Sequence, residues 1–333
     1  MRAVRTLPVR AIAPLIAFAL LPGIALSACG GDDDSAEETR EAPQASSFPE
    51  PEGRTPDQLL ADYSETDDLV IAPSGQLYNV GRNRFGFAVF RVDRTQVTNA
   101  DVALYAAPMS GGKARGPFPA RVESLETEPA FTAENTANDP DAAKAVYVAD
   151  VVLDKPGPWN VVALVRDNKG EYSAARVAGV KAYADDPVPD KGDKAPRVHT
   201  PTLDDVPDVS EIDTRVPPST MHDEDLADVL GKKPVVLLFA TPALCQTRVC
   251  GPVVDVAEQV KRDMPGPAYI HMEIYEDNIP DPKKLRDQVR AYKLPTEPWL
   301  FVIDCKGVID TRIEGAFSVS ELTAAVERAQ KGC

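Results

Sequence analysis

Five cysteines and three histidines carry most of the chemistry available to this chain, and two of the cysteines, Cys245 and Cys250, stand only five positions apart. An apolar run from Val235 to Ala240 leads into them through Thr241-Pro242-Ala243-Leu244. A strand that delivers a cysteine to the start of a helix places sulfur at the positive end of the helix dipole. There the thiolate is favoured, and with it nucleophilic or redox chemistry. Cys245 comes first and is the candidate nucleophile. Cys250 is the candidate resolving thiol, and Arg248 is a nearby cation able to tune the pair. Residues five apart in a regular helix have Cα atoms about 8–9 Å apart, beyond the ~7 Å reach of a disulfide. The two sulfurs therefore join only if Cys245 sits in the loop ahead of the helix or the first turn unwinds; an inert staple is the plainer alternative.

The elements that must position these residues are legible as runs and breaks. Ser219 or Thr220 caps a short helix through Leu230, and Gly231 stops it. The helix after Cys250 extends to about Met264, a strand covers Tyr269–Ile274, and a helix is expected from about Asp281 to Tyr292. Glu297-Pro298-Trp299 then opens a second apolar strand, Leu300–Ile303; the turn Cys305-Lys306-Gly307 leads to Val308–Ile313, and a last helix covers Val319–Gln330. Upstream, Asp68–Ala72, Phe85–Val92, Val102–Ala106, Val146–Leu153 and Trp159–Val165 are short apolar or alternating runs separated by Gly, Pro, Asn and Asp, the pattern of a β-sandwich. Met109 lies in a glycine-rich loop of that region, and neither a cysteine pair nor a histidine accompanies it. A spacer or protein-binding module is the expectation there.

The order strand, cysteine pair on a helix, strand, helix, proline-led strand, strand, helix resembles the thioredoxin superfamily, over about 100 to 140 residues. Gly231-Lys232-Lys233-Pro234 and the apolar run after it are similar to the opening of membrane-anchored proteins of that superfamily, and Gly157-Pro158-Trp159-Asn160-Val161 resembles a turn of immunoglobulin-like sandwiches. The resemblance implies a multidomain protein: an N-terminal all-β immunoglobulin-like sandwich (66–185), a proline-rich linker (186–220) and a C-terminal α/β thioredoxin-like domain (221–333). It further implies a cis peptide at Pro298 with Glu297 and Trp299 flanking a substrate groove. Cys305 then falls at the far end of the Pro298 strand, where the last helix brings Cys333, and a structural Cys305–Cys333 disulfide is implied. Two departures stand out. The spacing is C-x4-C rather than C-x-x-C, and the buried acid many thioredoxins carry falls here within Val236–Phe239, all apolar. Q-type peroxiredoxins share the spacing, but Pro242 occupies a Thr/Ser position of their signature. Copper-delivery relatives pair two cysteines with a distant histidine, for which His271 is the candidate. A lone strand histidine is more often packed than ligating, and His199 and His222 have no partner in sequence, so neither metal nor cofactor is expected.

The N-terminus frames where this happens. Arg2, Arg5 and Arg10 precede an apolar segment, Ala11–Ala25, too short for a comfortable transmembrane helix. Leu26-Ser27-Ala28-Cys29 resembles a bacterial lipobox, which implies a signal peptide over 1–28 and lipidation of Cys29, anchoring the protein to the outer leaflet of a bacterial membrane. Residues 29–65, acidic and proline-dotted, are expected to be a disordered tether. The four remaining cysteines, in an oxidising space, allow two disulfides in three connectivities. A net charge of −16 argues against nucleic acid as a partner. The expected activity is thiol–disulfide exchange with extracytoplasmic proteins, and the alternative is a redox-inactive binding or scaffold lipoprotein.

Overall fold

Alternation of apolar and polar positions along β3 (Gly81–Arg91), β6 (Ala145–Leu153) and β7 (Gly157–Arg166) dictates the larger half of the protein. Phe85, Phe87 and Val89, Tyr147, Ala149 and Val151, and Val161, Ala163 and Val165 all point into one core, every second residue along each strand. The computed structural model describes residues 39–63, 68–245 and 247–333. Within these, β1 (Leu69–Pro73), β4 (Asp101–Pro108), β5 (Arg115–Ser124) and β8 (Tyr172–Val177) complete a ring with β3, β6 and β7. Its order is β7-β4-β5-β6-β3-β1-β8, and β8 returns to β7 over six residue pairs from Val161↔Val177 to Arg166↔Tyr172. The barrel is mixed, because β1 meets β8 in parallel. Alanines at 106, 120, 149, 163 and 175 are among its interior residues and suit the narrow bore of so few strands. Short β2 (Tyr78–Asn79) and β9 (Lys181–Tyr183) extend the sheet at one end.

The immunoglobulin-like sandwich is thus corrected to a closed seven-stranded barrel. Two strands decide this: β5, broken in sequence by Pro117 and Pro119, and β8, only weakly apolar. Once β8 pairs with both β7 and β1, no open edge remains and the two faces of a sandwich become one wall. Residues 39–63, expected within the tether, lie against this wall. There α1 (Pro56–Asp62) is capped by Thr55 in a capping box, and Phe48, Leu59 and Leu60 are buried with Tyr105, Val162 and Leu164.

The smaller half is a four-stranded sheet, β11-β10-β12-β13, made of β10 (Val235–Phe239), β11 (Ala268–Met272), β12 (Trp299–Ile303) and β13 (Ile309–Glu314). β10 runs parallel to β11 and antiparallel to β12. Both faces of β10 are buried, as its unbroken apolar run requires. Val236, Leu238, Leu300 and Val302 pack against α4 (Cys250–Asp263) and α6 (Val319–Lys331), sharing a core with Leu125, Val146 and Val148 of the barrel side. The opposite face packs against Leu226 of α3 (Leu226–Val229), Val289 of α5 (Asp287–Ala291) and the segment carrying Val188 and Ala195. The C-terminal α/β thioredoxin-like fold is not shown, and that assignment is corrected as well. The protein is mostly β, and among the described residues it has six helices, none longer than 14 residues. The helices expected over 220–230 and 281–292 shrink to the 4-residue α3 and the 5-residue α5. The chain ahead of α5 is extended instead: Tyr275 bridges Leu285, and Arg286 N–H donates to Ile274 O at 2.9 Å.

Barrel and small sheet are locked by charge and by close approach. Arg84 on β3 donates to both carboxylate oxygens of Glu321 at 2.8 and 2.7 Å and to the carbonyl of Ala316 at 2.8 Å, and Arg121 adds a contact of 2.7 Å to Glu321. At Gly315, φ is +84° and a Cβ would lie 2.0 Å from the carbonyl oxygen of Ser74, so only glycine lets the β1–β2 loop sit down on β13. None of the helices among the described residues is long and apolar enough to cross a membrane. The expected signal peptide (1–28) and the expected lipidation site at Cys29 lie outside the described residues.

Candidate functional site

The loop that carries Cys245 is built by backbone bonds at the end of β10. Ala240 N–H donates to Met272 O at 3.1 Å, Leu244 N–H to Thr241 O at 3.2 Å, and Ala243 N–H to Thr214 Oγ1 at 3.1 Å. Cys245 therefore sits ahead of the helix, and Cys250 is the first residue of α4. Their Cα atoms are 5.9 Å apart, at disulfide distance, and the sulfurs are paired. No side chain caps the N-terminus of α4, whose N-cap is Val249, so the positive end of the helix faces the sulfurs. Gly251, in the first turn, admits the barrel at close range: a Cβ there would lie 2.7 Å from Thr136 Oγ1 of α2 (Glu134–Ala137). Cys250 is fully buried, whereas Cys245 keeps 8% of its surface. Cys245 Sγ also lies 3.2 Å from Thr247 Oγ1.

Glu297 brings a carboxyl to the pair. A carboxylate oxygen of Glu297 and the two sulfurs all lie within 4.8 Å of one another. The peptide between Glu297 and Pro298 is cis. Glu297 Oε2 is buried without a hydrogen-bond partner. Burial, then the neighbouring charge of Glu273, pushes the Glu297 carboxyl up to about 7. Glu273 is itself buried. Its Oε1 accepts from Thr214 N–H and Thr214 Oγ1–H, both at 2.7 Å, while its Oε2 is also without a partner. A carboxyl, a disulfide and a helix N-terminus thus meet at one spot, the carboxyl set to exchange a proton near neutral pH.

A cleft of about 310 Å³ opens beside this group. Ser74, Gly75 and Gln76 of the barrel line one side, and Tyr275, Leu285, Thr296 and Glu297 line the other, with Thr247 bridging toward the sulfurs. On the Cys245 side only about 30 Å³ is open, between Asn135 and Asp139 of the barrel and Pro242, Arg248 and Gly251.

The remaining residues singled out in the sequence are dispersed. Arg248, with φ +60°, turns away to pair with Asp139 at 2.9 Å, and its side chain is half exposed. Trp299 is fully buried in the core, where its indole N–H donates to Thr296 Oγ1 at 3.0 Å and Arg312 lies 5.3 Å over its ring. Cys305 and Cys333 are at disulfide distance from each other, Cα atoms 5.5 Å apart, beside the end of α6. His271 faces Asp213, Ser219 and the carbonyl of Ala240 rather than a sulfur. His199 pairs with Asp225 at 2.7 Å on the surface, and Met109 is exposed. In the sequence, Glu297 stands out only as a flank of the expected groove, and Thr247 and Glu273 do not stand out at all. The one signal for Glu297 is an acid directly before the proline that opens a core strand.

With both sulfurs joined to each other, the Cys245, Cys250 and Glu297 group has no thiolate to offer a metal ion. The arrangement suits proton-coupled opening and closing of a disulfide. No protein-family model matches this chain, and no curated protein matches it at a significant level.

Proposed function

We propose that the protein is a thiol–disulfide oxidoreductase whose Cys245–Cys250 pair exchanges with disulfides or thiols of other proteins on the outer side of a bacterial membrane, to which a lipid on Cys29 would tether it. The observation that carries this reading is the carboxyl of Glu297, raised to about 7, within 4.8 Å of both sulfurs. In the reducing direction, the Cys245 thiolate attacks one sulfur of a substrate disulfide and expels the other sulfur as a thiolate, which takes up a proton. The ionised Glu297 then takes the proton of the Cys250 thiol, and the Cys250 thiolate attacks the Cys245 sulfur. The second substrate thiolate leaves and is protonated by Glu297. The substrate is reduced by two electrons and the pair is oxidised; the reverse sequence oxidises a dithiol. The residual exposure of Cys245 fits the attacking role, and the buried Cys250 fits resolution. The cleft beside Glu297 supports binding of an extended segment there.

Burial of the pair favours a second reading, a binding protein in which the disulfide is an inert staple. Turnover of a fluorescently labelled glutathione disulfide by the dithiothreitol-reduced protein separates the two. The oxidoreductase reading expects turnover that Cys245→Ser abolishes and a stable mixed disulfide on Cys245 in Cys250→Ser. A wild-type pair that stays oxidised in dithiothreitol while the protein remains folded leaves only the staple.

A further inference from the structure

A second cluster, made of residues with no part in the exchange chemistry, is buried beneath β11. Asp213, His222 and His271 are each no more than 2% exposed, and Ser219 is 6% exposed. Four of their atoms converge. Asp213 Oδ2 lies 2.9 Å from His222 Nε2 and 3.4 Å from His271 Nδ1, and Ser219 Oγ lies 3.2 Å and 3.1 Å from the same two nitrogens. The chain is pinned around them. His271 N–H donates to Met221 O at 3.0 Å, Ser219 N–H to Asp213 Oδ2 at 2.7 Å, and Arg215 N–H to Asp213 Oδ1 at 2.7 Å.

Two imidazoles and a carboxylate at these separations are compatible with a tetrahedral zinc site. With metal–ligand bonds of about 2.0–2.1 Å, neighbouring corners of a tetrahedron stand roughly 3.3–3.4 Å apart, and two imidazoles with a carboxylate are an ordinary zinc set. The four separations, 2.9 to 3.4 Å, fall at or just inside that spacing. The second observation concerns His271. Its Nε2 lies 3.1 Å from Ala240 O, a partner that can only accept, so Nε2 carries a proton and Nδ1 is the nitrogen left to take either a second proton or a metal ion. A ligating histidine is commonly held in this way, its other nitrogen donating to a backbone carbonyl.

We propose that Asp213, His222 and His271 bind a structural zinc ion, with Ser219 Oγ at the fourth corner, and that the ion ties the 209–222 segment to β11 as the chain folds. The site also bears on the cysteine loop. Thr214, next to Asp213, holds both Glu273 and the amide of Ala243, so a fixed Asp213 fixes the ground on which Cys245 stands. The competing occupant is a proton: an imidazolium paired with Asp213 satisfies the same atoms and needs no metal.

The test is metal analysis of the full chain with its disulfides oxidised, purified from zinc-supplemented cells and also refolded from denaturant with zinc sulfate. The expected result is about one zinc per chain that survives desalting against a chelator, falling at least tenfold in the His222→Gln/His271→Gln variant. Cobalt(II) refolding of the wild type provides a readout that does not depend on the variant's folding, with visible absorption bands of a tetrahedral nitrogen–oxygen site expected. A folded wild type holding no ion after refolding with zinc, or a folded double variant that keeps its zinc, overturns the proposal.

Discussion

Replacing Glu297 by glutamine tests the proton chemistry of the site through stability, independently of any substrate. In the unfolded chain a glutamate loses its proton near its ordinary value of 4.5, whereas in the folded protein Glu297 holds it to about 7. Between those values the folded state binds the extra proton. The wild type therefore has this contribution in full below 4.5 and loses it as pH rises through 7. A shift of that size corresponds to about 3 kcal/mol at most, and screening of a carboxyl that is only part-buried reduces it to about 2 kcal/mol. Glutamine has no proton to lose, so Glu297→Gln should be more stable than wild type by about 2 kcal/mol at pH 8, or about 3 °C in Tm, and should lose that advantage at pH 5. Urea unfolding followed by the fluorescence of the two buried tryptophans, with disulfides intact, measures the difference at each pH. A variant-minus-wild-type difference that does not change with pH, or that grows on acidification, refutes the reasoning. The same variant should also lose the rise in exchange rate that the wild type shows as Glu297 ionises near pH 7.

Three further outcomes follow from named contacts. Cys250→Ser, incubated with glutathione disulfide, should accumulate one glutathione on Cys245, visible by intact mass; modification elsewhere contradicts the assigned roles. Joint replacement of Cys305 and Cys333 by serine opens a bridge between residues 28 apart in sequence and should cost about 3–4 kcal/mol in urea unfolding while leaving exchange unchanged. Glu321 is buried, and burial alone would raise its carboxyl, but Arg84 and then Arg121 hold it below the usual carboxylate range. Its contribution is therefore present above the ordinary glutamate pKa and lost as pH falls below it. Glu321→Gln should cost about 3 kcal/mol at pH 7 and less as the pH is lowered through 4; an equal cost at both pH values contradicts the ion-pair account.

The strands of the small sheet were legible because β10 and β12 are unbroken apolar runs, α4 because Lys261 and Arg262 mark its last turn, and α6 because Ser318 and Glu321 form a capping box at its start. What escaped was closure. The motif of β8 is too weakly apolar and that of β5 too rich in proline to read as strands, and without them the remaining strands describe a sandwich as well as a barrel. The resemblance to an α/β fold rested on element order, which does not disclose that the expected helices around 220–230 and 281–292 would form little more than a turn each. At the site, the cysteine pair was visible because its members are near neighbours. Glu297, Glu273 and Thr214 reach it from three other segments, and proximity across such distances is a property of the fold rather than of local pattern. Asp213, His222 and His271 were invisible as a group for the same reason.

The central claim is that the Cys245–Cys250 disulfide opens and closes reversibly as a working pair. Equilibrating the protein across glutathione buffers, followed by alkylation and mass mapping of each cysteine, tests it most directly. The account predicts that Cys245 and Cys250 titrate together, as a two-electron couple between about −120 and −270 mV, the span of known exchange catalysts, while Cys305 and Cys333 remain oxidised. A Cys245–Cys250 bond that stays closed across the series, or one that reopens only when the protein unfolds, contradicts it.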